Sequence, residues 1–397
     1  MNSVCLFNGT VMTSFAAMED CAVLIKDGLV ADVFSRRRFE KKHLDSDVQF
    51  IDVGGAYIAP GFIDTHIHGF AGFGTEDAFE SPLKGTESIL EMSRKLAQYG
   101  VTSFNPTLYS AEPRTLIQAV RAVRAAMGKE EGARIMGLHL EGPFISSERL
   151  GVQKPESVMP VDIVFMEQLW EVSEGHIVNM TVAPEVRGMR ELALFCIKKG
   201  IILQAGHSNA EYENMVEGMQ VGILHSTHLF NAMRRLDQRN PNVVGSILIH
   251  PEMSCEIIAD GFHVHPDLFK LLLRDKPVDK IVLITDSLKP TEQKEGPFMA
   301  NGEEVVFHDG IFHRKSDDII AGSALTMIRG IRNLVSFGFS LEDAVKTASF
   351  NPAQVMRYRN KGAIIPGYEA DLTVFDRDFN ILTVLVNGRL IYNTLPI

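Results

Sequence analysis

Between residues 58 and 285 the chain carries eight short apolar runs of β-strand character, most of them separated by stretches with apolar residues at helical spacing. In order, the runs are 58–68, 101–108, 134–141, 178–184, 201–207, 222–228, 255–259 and 280–285. Stretches 87–99, 114–127, 161–174 and 187–199 gather their apolar residues on one helical face. Strands that alternate with helices lie parallel in one sheet, and eight of them close into a ring. The pattern predicts an α/β fold, a (β/α)8 TIM barrel.

Both ends of the chain read differently. Residues 22–26, Asp27-Gly28 and 29–34 have the form strand, turn, strand, and 381–386, Asn387-Gly388 and 389–392 repeat it after a strand over 371–375. Residues 1–55 and 358–397 are expected to pair into a small β-sandwich domain built from both termini, leaving 56–357 as the barrel. The charged stretch 36–47 reads as a solvated loop or short helix. Residues 290–319 break the alternation as an insertion with short strand-like pieces, ahead of a helical run over 324–337.

Charge limits the partners. Lys and Arg number 39 against 50 Asp and Glu, a net charge of −11 in 397 residues. Nucleic acid and anionic membranes select a basic excess, so neither is an expected partner. An anionic small molecule needs only a few well-placed cations. No run reaches the ~18 apolar residues of a membrane helix, and the first residues lack the pattern of a secretory signal. Cys5, Cys21, Cys196 and Cys255 are scattered without paired spacing, which reads as reduced thiols in the cytoplasm.

The 13 histidines are the informative residues. In a parallel barrel the chemistry gathers where strands finish. The first run closes on Asp64-Thr65-His66-Ile67-His68, and alternation turns His66 and His68 to one side. The third closes on His139-Leu140-Glu141, with Glu141 inward and His139 a layer deeper. The fifth closes on His207 and the eighth on Asp286. The sixth carries His225 and His228, which alternation sends to opposite faces, and His228 lies nearer the end. His263 and His265 form a second HxH pair beyond the seventh run. His43, His176, His250, His308 and His313 fall in loops or the insertion and read as surface residues. Four histidines, Glu141 and Asp286 at the ends of five strands make poor core filling, because buried polar groups need partners. A shared divalent cation supplies one, and nitrogen and oxygen donors without thiolate suit Zn, Fe, Mn or Co.

Ordered segments over nearly the whole chain sharpen this reading: APGFIDTHIHG at 59–69, LHLEGPFIS at 138–146, GHSNA at 206–210, THLFNAM at 227–233, DGFHVHP at 260–266, LITDS at 283–287 and AGSALTMIRGIRNLV at 321–335. Together they resemble the amidohydrolase superfamily, and within it the N-acetylglucosamine-6-phosphate deacetylases. The resemblance implies that Glu141, His207 and His228 hold a main metal ion, that His66 and His68 complete a second site, and that Asp286 is the general acid/base. It implies substrate contacts from Val152, Asn231, Ala232 and His263, backbone lining from Ile320, Ala321 and Gly322, and a phosphate-binding Arg239 donated across a homodimer interface. Gln153 departs from the pattern, standing where many members have a histidine that meets the substrate. A glutamine can donate a hydrogen bond there but cannot carry a proton to and fro.

The expected reaction is metal-dependent hydrolysis of the acetamide of N-acetylglucosamine 6-phosphate. The alternatives are another amidohydrolase reaction, on a cyclic amide or as a deaminase, and a non-catalytic member of the fold that binds a sugar phosphate.

Overall fold

Each of the eight apolar runs contributes a barrel strand: Phe62–Ile67, Val101–Tyr109, Leu138–Glu141, Ile177–Val182, Ile202–Ala205, His225–Ser226, Ser254–Ile258 and Ile281–Ile284. The computed structural model describes residues 3–13, 16–39 and 48–396. All eight strands run parallel, each paired with the next in chain order. The ring closes between the first and eighth. There the Asp286 N–H donates to His66 O at 2.9 Å and the Thr285 hydroxyl to Asp64 Oδ2 at 2.6 Å. Closure therefore sets His66 beside Asp286, the first link between fold and site.

Helices cover the outside because their apolar residues share a face. Pro113–Ala126 starts with proline at its first turn, where the missing N–H costs nothing, and buries Leu116, Ala119, Val120 and Val123. Met327–Ser336 is capped by the Thr326 hydroxyl accepting from Arg329 N and buries Met327, Ile328, Ile331 and Leu334. Each fully buried large aliphatic contributes about 1.5–3 kcal/mol.

One expected strand divides. The run 58–68 splits at Gly61: Tyr57–Pro60 pairs with Ser3–Met12 and Leu372–Phe375, while Phe62–Ile67 enters the barrel. The cause is local. Gly61 N donates to Asp371 O at 2.8 Å, and a Cβ at this position would overlap the Thr102 side chain. Only glycine lets the chain change sheets this close to the second barrel strand.

The two ends of the chain share one sheet of eight strands. Its long strand Ser3–Met12 pairs with Val48–Asp52 through its first half and with Tyr57–Pro60 through its second. Tyr57–Pro60 leads on to the C-terminal strands Leu372–Phe375, Ile381–Val386 and Arg389–Asn393. Both halves close on a common core containing Leu6, Val23, Ile51, Ile58, Leu372 and Leu385. Residues 36–39 form a short helix; the rest of the charged stretch, with His43, lies outside the described residues.

The insertion is an antiparallel sheet of Gly296–Ala300, Glu303–His308, Ile311–Arg314 and Ile320–Ser323. It is latched to the eighth strand, because Ser323 N donates to Asp286 O at 3.0 Å. That latch brings Ile320, Ala321 and Gly322 to the barrel mouth. All four cysteines are buried and none is in a disulfide. Among the described residues no helix is long and apolar enough to cross a membrane.

Candidate active site

The polar residues at the strand ends converge. Three of them, His207, His228 and Asp286, turn the chain just past their strands with φ of 45°, 20° and 50°. For non-glycine residues this backbone is costly, and such strain concentrates at functional sites.

Two groups of donors result. In the first, His207 Nε2 and His228 Nε2 lie 3.0 and 3.2 Å from Glu141 Oε1 and 3.1 Å from each other. In the second, His66 Nε2 and His68 Nε2 lie 3.5 and 3.4 Å from Asp286 Oδ1. Glu141 joins them, with Oε1 3.4 Å from His66 Nε2 and Oε2 3.3 Å from His68 Nε2. These separations match the edges of a tetrahedron around a small divalent ion, about 3.3 Å for bonds of about 2.0 Å. Among the described residues the buried Nε2 of His66 also lacks a hydrogen-bond partner, despite two nearby carboxylates. The donor set and its spacing fit a divalent metal.

The electrostatics agree. Burial disfavours charge on Glu141, but His207 and the other imidazoles outweigh it and hold the carboxyl well below its usual range. Burial likewise opposes the His66 imidazolium, yet Asp286 and Glu256 hold its pKa well above the ordinary value. The His139 ring sits deeper, between Thr107 and Thr181 hydroxyls, and burial holds its pKa well below the ordinary value.

Above the donors opens a cavity of about 310 Å³. His68, Glu141, His207, His228, Asp286 and His263 reach it from below. Val152, Asn231, Ala232, Ile320, Ala321 and Gly322 form its sides. Residues 57–391 match the amidohydrolase family.

The chain belongs to the amidohydrolase family. It is 32% identical over 393 residues to the N-acetylglucosamine-6-phosphate deacetylase of Lysinibacillus sphaericus, covering 98% of this chain and 97% of that one. With the protein of the same name from Bacillus subtilis (strain 168) it shares 32% over 388 residues, 96% and 95% of the two chains. The crystal structure of N-acetylglucosamine-6-phosphate deacetylase from Pasteurella multocida superposes with a TM-score of 0.90 at 27% identity, covering 98% and 99%.

Several residues of this amidohydrolase sit elsewhere than the sequence suggested. Gln153 does not face the cavity. It is buried behind Glu141, donating from Nε2 to Glu141 Oε2 at 2.6 Å while its Oε1 accepts from Ser110 N. His225 does not point away from the barrel. Its short strand ends at Ser226, so alternation does not extend to His228, and its ring sits low inside with Nδ1 2.8 Å from Ser254 Oγ. The second HxH pair is divided: His263 is buried against Asp260, 2.6 Å away, whereas His265 is exposed and caps the helix Pro266–Asp275. By contrast, Arg239, expected to reach the site only across a dimer interface, is exposed and outside the cavity of its own chain.

Other contributors were missed in the sequence. Glu185 holds the turn after His207 by accepting from Ser208 Oγ at 2.7 Å and Asn209 N at 2.6 Å. Tyr109 stacks flat on His68, ring centres 3.7 Å apart. Glu256, fully buried, meets His66 Nδ1 at 3.0 Å. A carboxylate inside the apolar run SCEII was the available signal, since a buried charge requires a partner.

Proposed function

We propose that this amidohydrolase hydrolyses the acetamide of N-acetyl-D-glucosamine 6-phosphate to D-glucosamine 6-phosphate and acetate. The observation that carries the reading is Glu141 joining two histidine pairs, with Asp286 opposite, at the floor of a cavity fit for one sugar. Relatives aligned along nearly the whole chain are N-acetylglucosamine-6-phosphate deacetylases by name, which supplies the substrate class.

Glu141, His207 and His228 would hold one divalent ion, and His66, His68 and Asp286 a second, with Zn, Fe, Mn or Co suited to such donors. A metal held there would supply Lewis acidity, lowering the pKa of water from about 15.7 to about 7. Asp286 accepts the proton of the attacking water as its oxygen adds to the acetyl carbonyl. The same carboxyl then hands that proton to the nitrogen, because an amide expels an amine only when it is protonated. Asn231 and His263 orient the sugar, and the backbone of Ile320, Ala321 and Gly322 walls it in.

Phosphate recognition needs a second copy. No lysine or arginine lines the cavity among the described residues, yet a dianion requires a cation. A homodimer supplies it through Arg239, whose exposed guanidinium suits bidentate phosphate binding. His263 adds charge from within. The barrel of 56–357 then carries the site and the domain of 1–55 with 358–397 supports it, in a cytoplasmic enzyme.

The test is acetate release from N-acetylglucosamine 6-phosphate by protein of measured metal content. Ammonia release instead would point to a deaminase, and binding without release to a non-catalytic protein.

A further inference from the structure

Below the donors, polar side chains cross the barrel interior where apolar residues ordinarily pack. Asn105, Asn179, Gln204, Glu256 and His66 come from five different strands, and each is fully buried. They form one hydrogen-bonded chain. The Tyr358 hydroxyl donates to Asn105 Oδ1 at 2.7 Å, Asn105 Nδ2 to Asn179 Oδ1 at 3.2 Å, and Asn179 Nδ2 to Gln204 Oε1 at 3.1 Å. Gln204 Nε2 then donates to Glu256 Oε1 at 3.1 Å, and Glu256 Oε2 faces His66 Nδ1 at 3.0 Å.

The direction of this chain follows from its one carboxylate. An ionised Glu256 only accepts, so Gln204 must turn its NH2 to it and its oxygen to Asn179; the same logic passes on to Asn105. On its other side Glu256 can face only a donor, which makes His66 Nδ1 the protonated nitrogen and leaves the Nε2 lone pair to the site. Glu256 Oε2 also accepts from His228 N at 3.3 Å, and Oε1 lies 3.8 Å from His225 Nε2.

The other imidazoles are held differently. His207 Nδ1 lies 3.1 Å from the carbonyls of both Arg149 and Leu150. His68 rests on Tyr109, and among the described residues the Nδ1 atoms of His68 and His228 have no hydrogen-bond partner. Of the four proposed metal-ligand imidazoles, His66 alone has, among the described residues, a side-chain carboxylate within hydrogen-bond distance of its Nδ1.

We infer that Glu256 is a positioning residue that fixes His66 as an Nε2 metal ligand, itself held in place by the amide chain through Gln204, Asn179 and Asn105. The inference rests on the metal-binding reading of the site. Loss of such an outer partner typically weakens metal affinity about 10–100-fold.

Zinc titration of the full-length protein tests it. Glu256→Gln keeps the shape but forces two donors to meet, at Gln204 or at His66 Nδ1. It should weaken zinc binding about 10–100-fold in the wild-type background and add nothing in a His66→Ala background, where there is no ring left to orient. Pairing it with Gln204→Glu restores alternating donors and acceptors and should recover affinity. In the wild-type zinc-loaded protein, nitrogen NMR should show a proton on His66 Nδ1 and metal on Nε2, a readout that needs no variant to fold. Unchanged zinc affinity in Glu256→Gln, an equal loss in the His66→Ala background, or ligation through Nδ1 would each overturn the role of Glu256 while leaving acetate release by the wild type intact. A wild-type protein that binds no zinc or other divalent ion would instead overturn the metal reading, and this inference with it.

Discussion

Gln153 donates to Oε2 of Glu141 over 2.6 Å, and its oxygen accepts from the Ser110 N–H at 3.0 Å. The backbone donor fixes which way the amide points, so the NH2 necessarily meets the carboxylate. A hydrogen bond to a charged group is worth about 1.5–3 kcal/mol. Gln153→Leu should therefore lower kcat/KM by about 10–100-fold, and Gln153→Glu, which sets two carboxylates together, by more. Steady-state kinetics on both variants checks this. An unaltered Gln153→Leu enzyme would mean that Glu141 needs no such support.

Asp286 stands just past the eighth strand with its carboxylate turned to His66 and His68. General acid/base groups contribute about 10²–10⁴-fold. Asp286→Asn should cost that much in kcat with little change in KM. A variant that keeps full turnover would remove Asp286 from the proton transfers.

Arg239 is exposed on its own chain and outside the cavity, so its proposed role in phosphate binding calls for a second copy. Arg239→Ala is expected to raise KM for the phosphorylated sugar far more than for unphosphorylated N-acetylglucosamine. Dilution below the dimer dissociation constant should imitate it. Equal effects on the two substrates would take Arg239 out of phosphate binding.

His263 gives the site a pH dependence. Burial favours the neutral ring, but the hydrogen bond and charge of Asp260 prevail and raise its pKa above 6.5. Asp260 is correspondingly held below 3.8, its burial outweighed by His263. The stabilisation from the raised histidine is fully present below 6.5 and is lost as pH rises through the higher folded value. That from the lowered carboxyl is present above 3.8 and lost on acidification through the folded value. Affinity for the phosphorylated sugar should thus weaken as pH rises through the raised pKa of His263, and Asp260→Asn should shift that loss to lower pH. A KM–pH profile that Asp260→Asn does not move would contradict this.

Burial pushes the Cys196 and Cys255 thiols up to about 12. Neither should be alkylated by iodoacetamide at pH 8 in the native protein, and both should react in denaturant. Mass spectrometry of the peptides decides it.

The sequence exposed the barrel because parallel strands buried on both faces are continuous apolar runs, and it exposed the donors because strand ends are where the polar residues fall. It failed where regular geometry stops. Alternation placed His228 at the mouth but sent His225 to the wrong face, since the strand ends between them. It could not separate His263 from His265, because the chain there is a loop running into a helix cap. The sheet change at Gly61 depends on contact with Thr102, forty residues on. Glu256, Asn179 and Gln204 were hidden by reading their strands for apolar content, although their polar interiors are what orders His66. Arg239 was legible only through family resemblance, because its proposed target lies on another copy.

One paired measurement decides whether this chain is a metal-dependent deacetylase: acetate released from N-acetylglucosamine 6-phosphate against bound divalent metal, followed through chelation and reconstitution. Equimolar acetate and glucosamine 6-phosphate are expected, with loss of turnover on chelation and its return with added divalent ion. Metal-replete protein that releases no acetate, or chelated protein that releases it at the full rate, would contradict that reading.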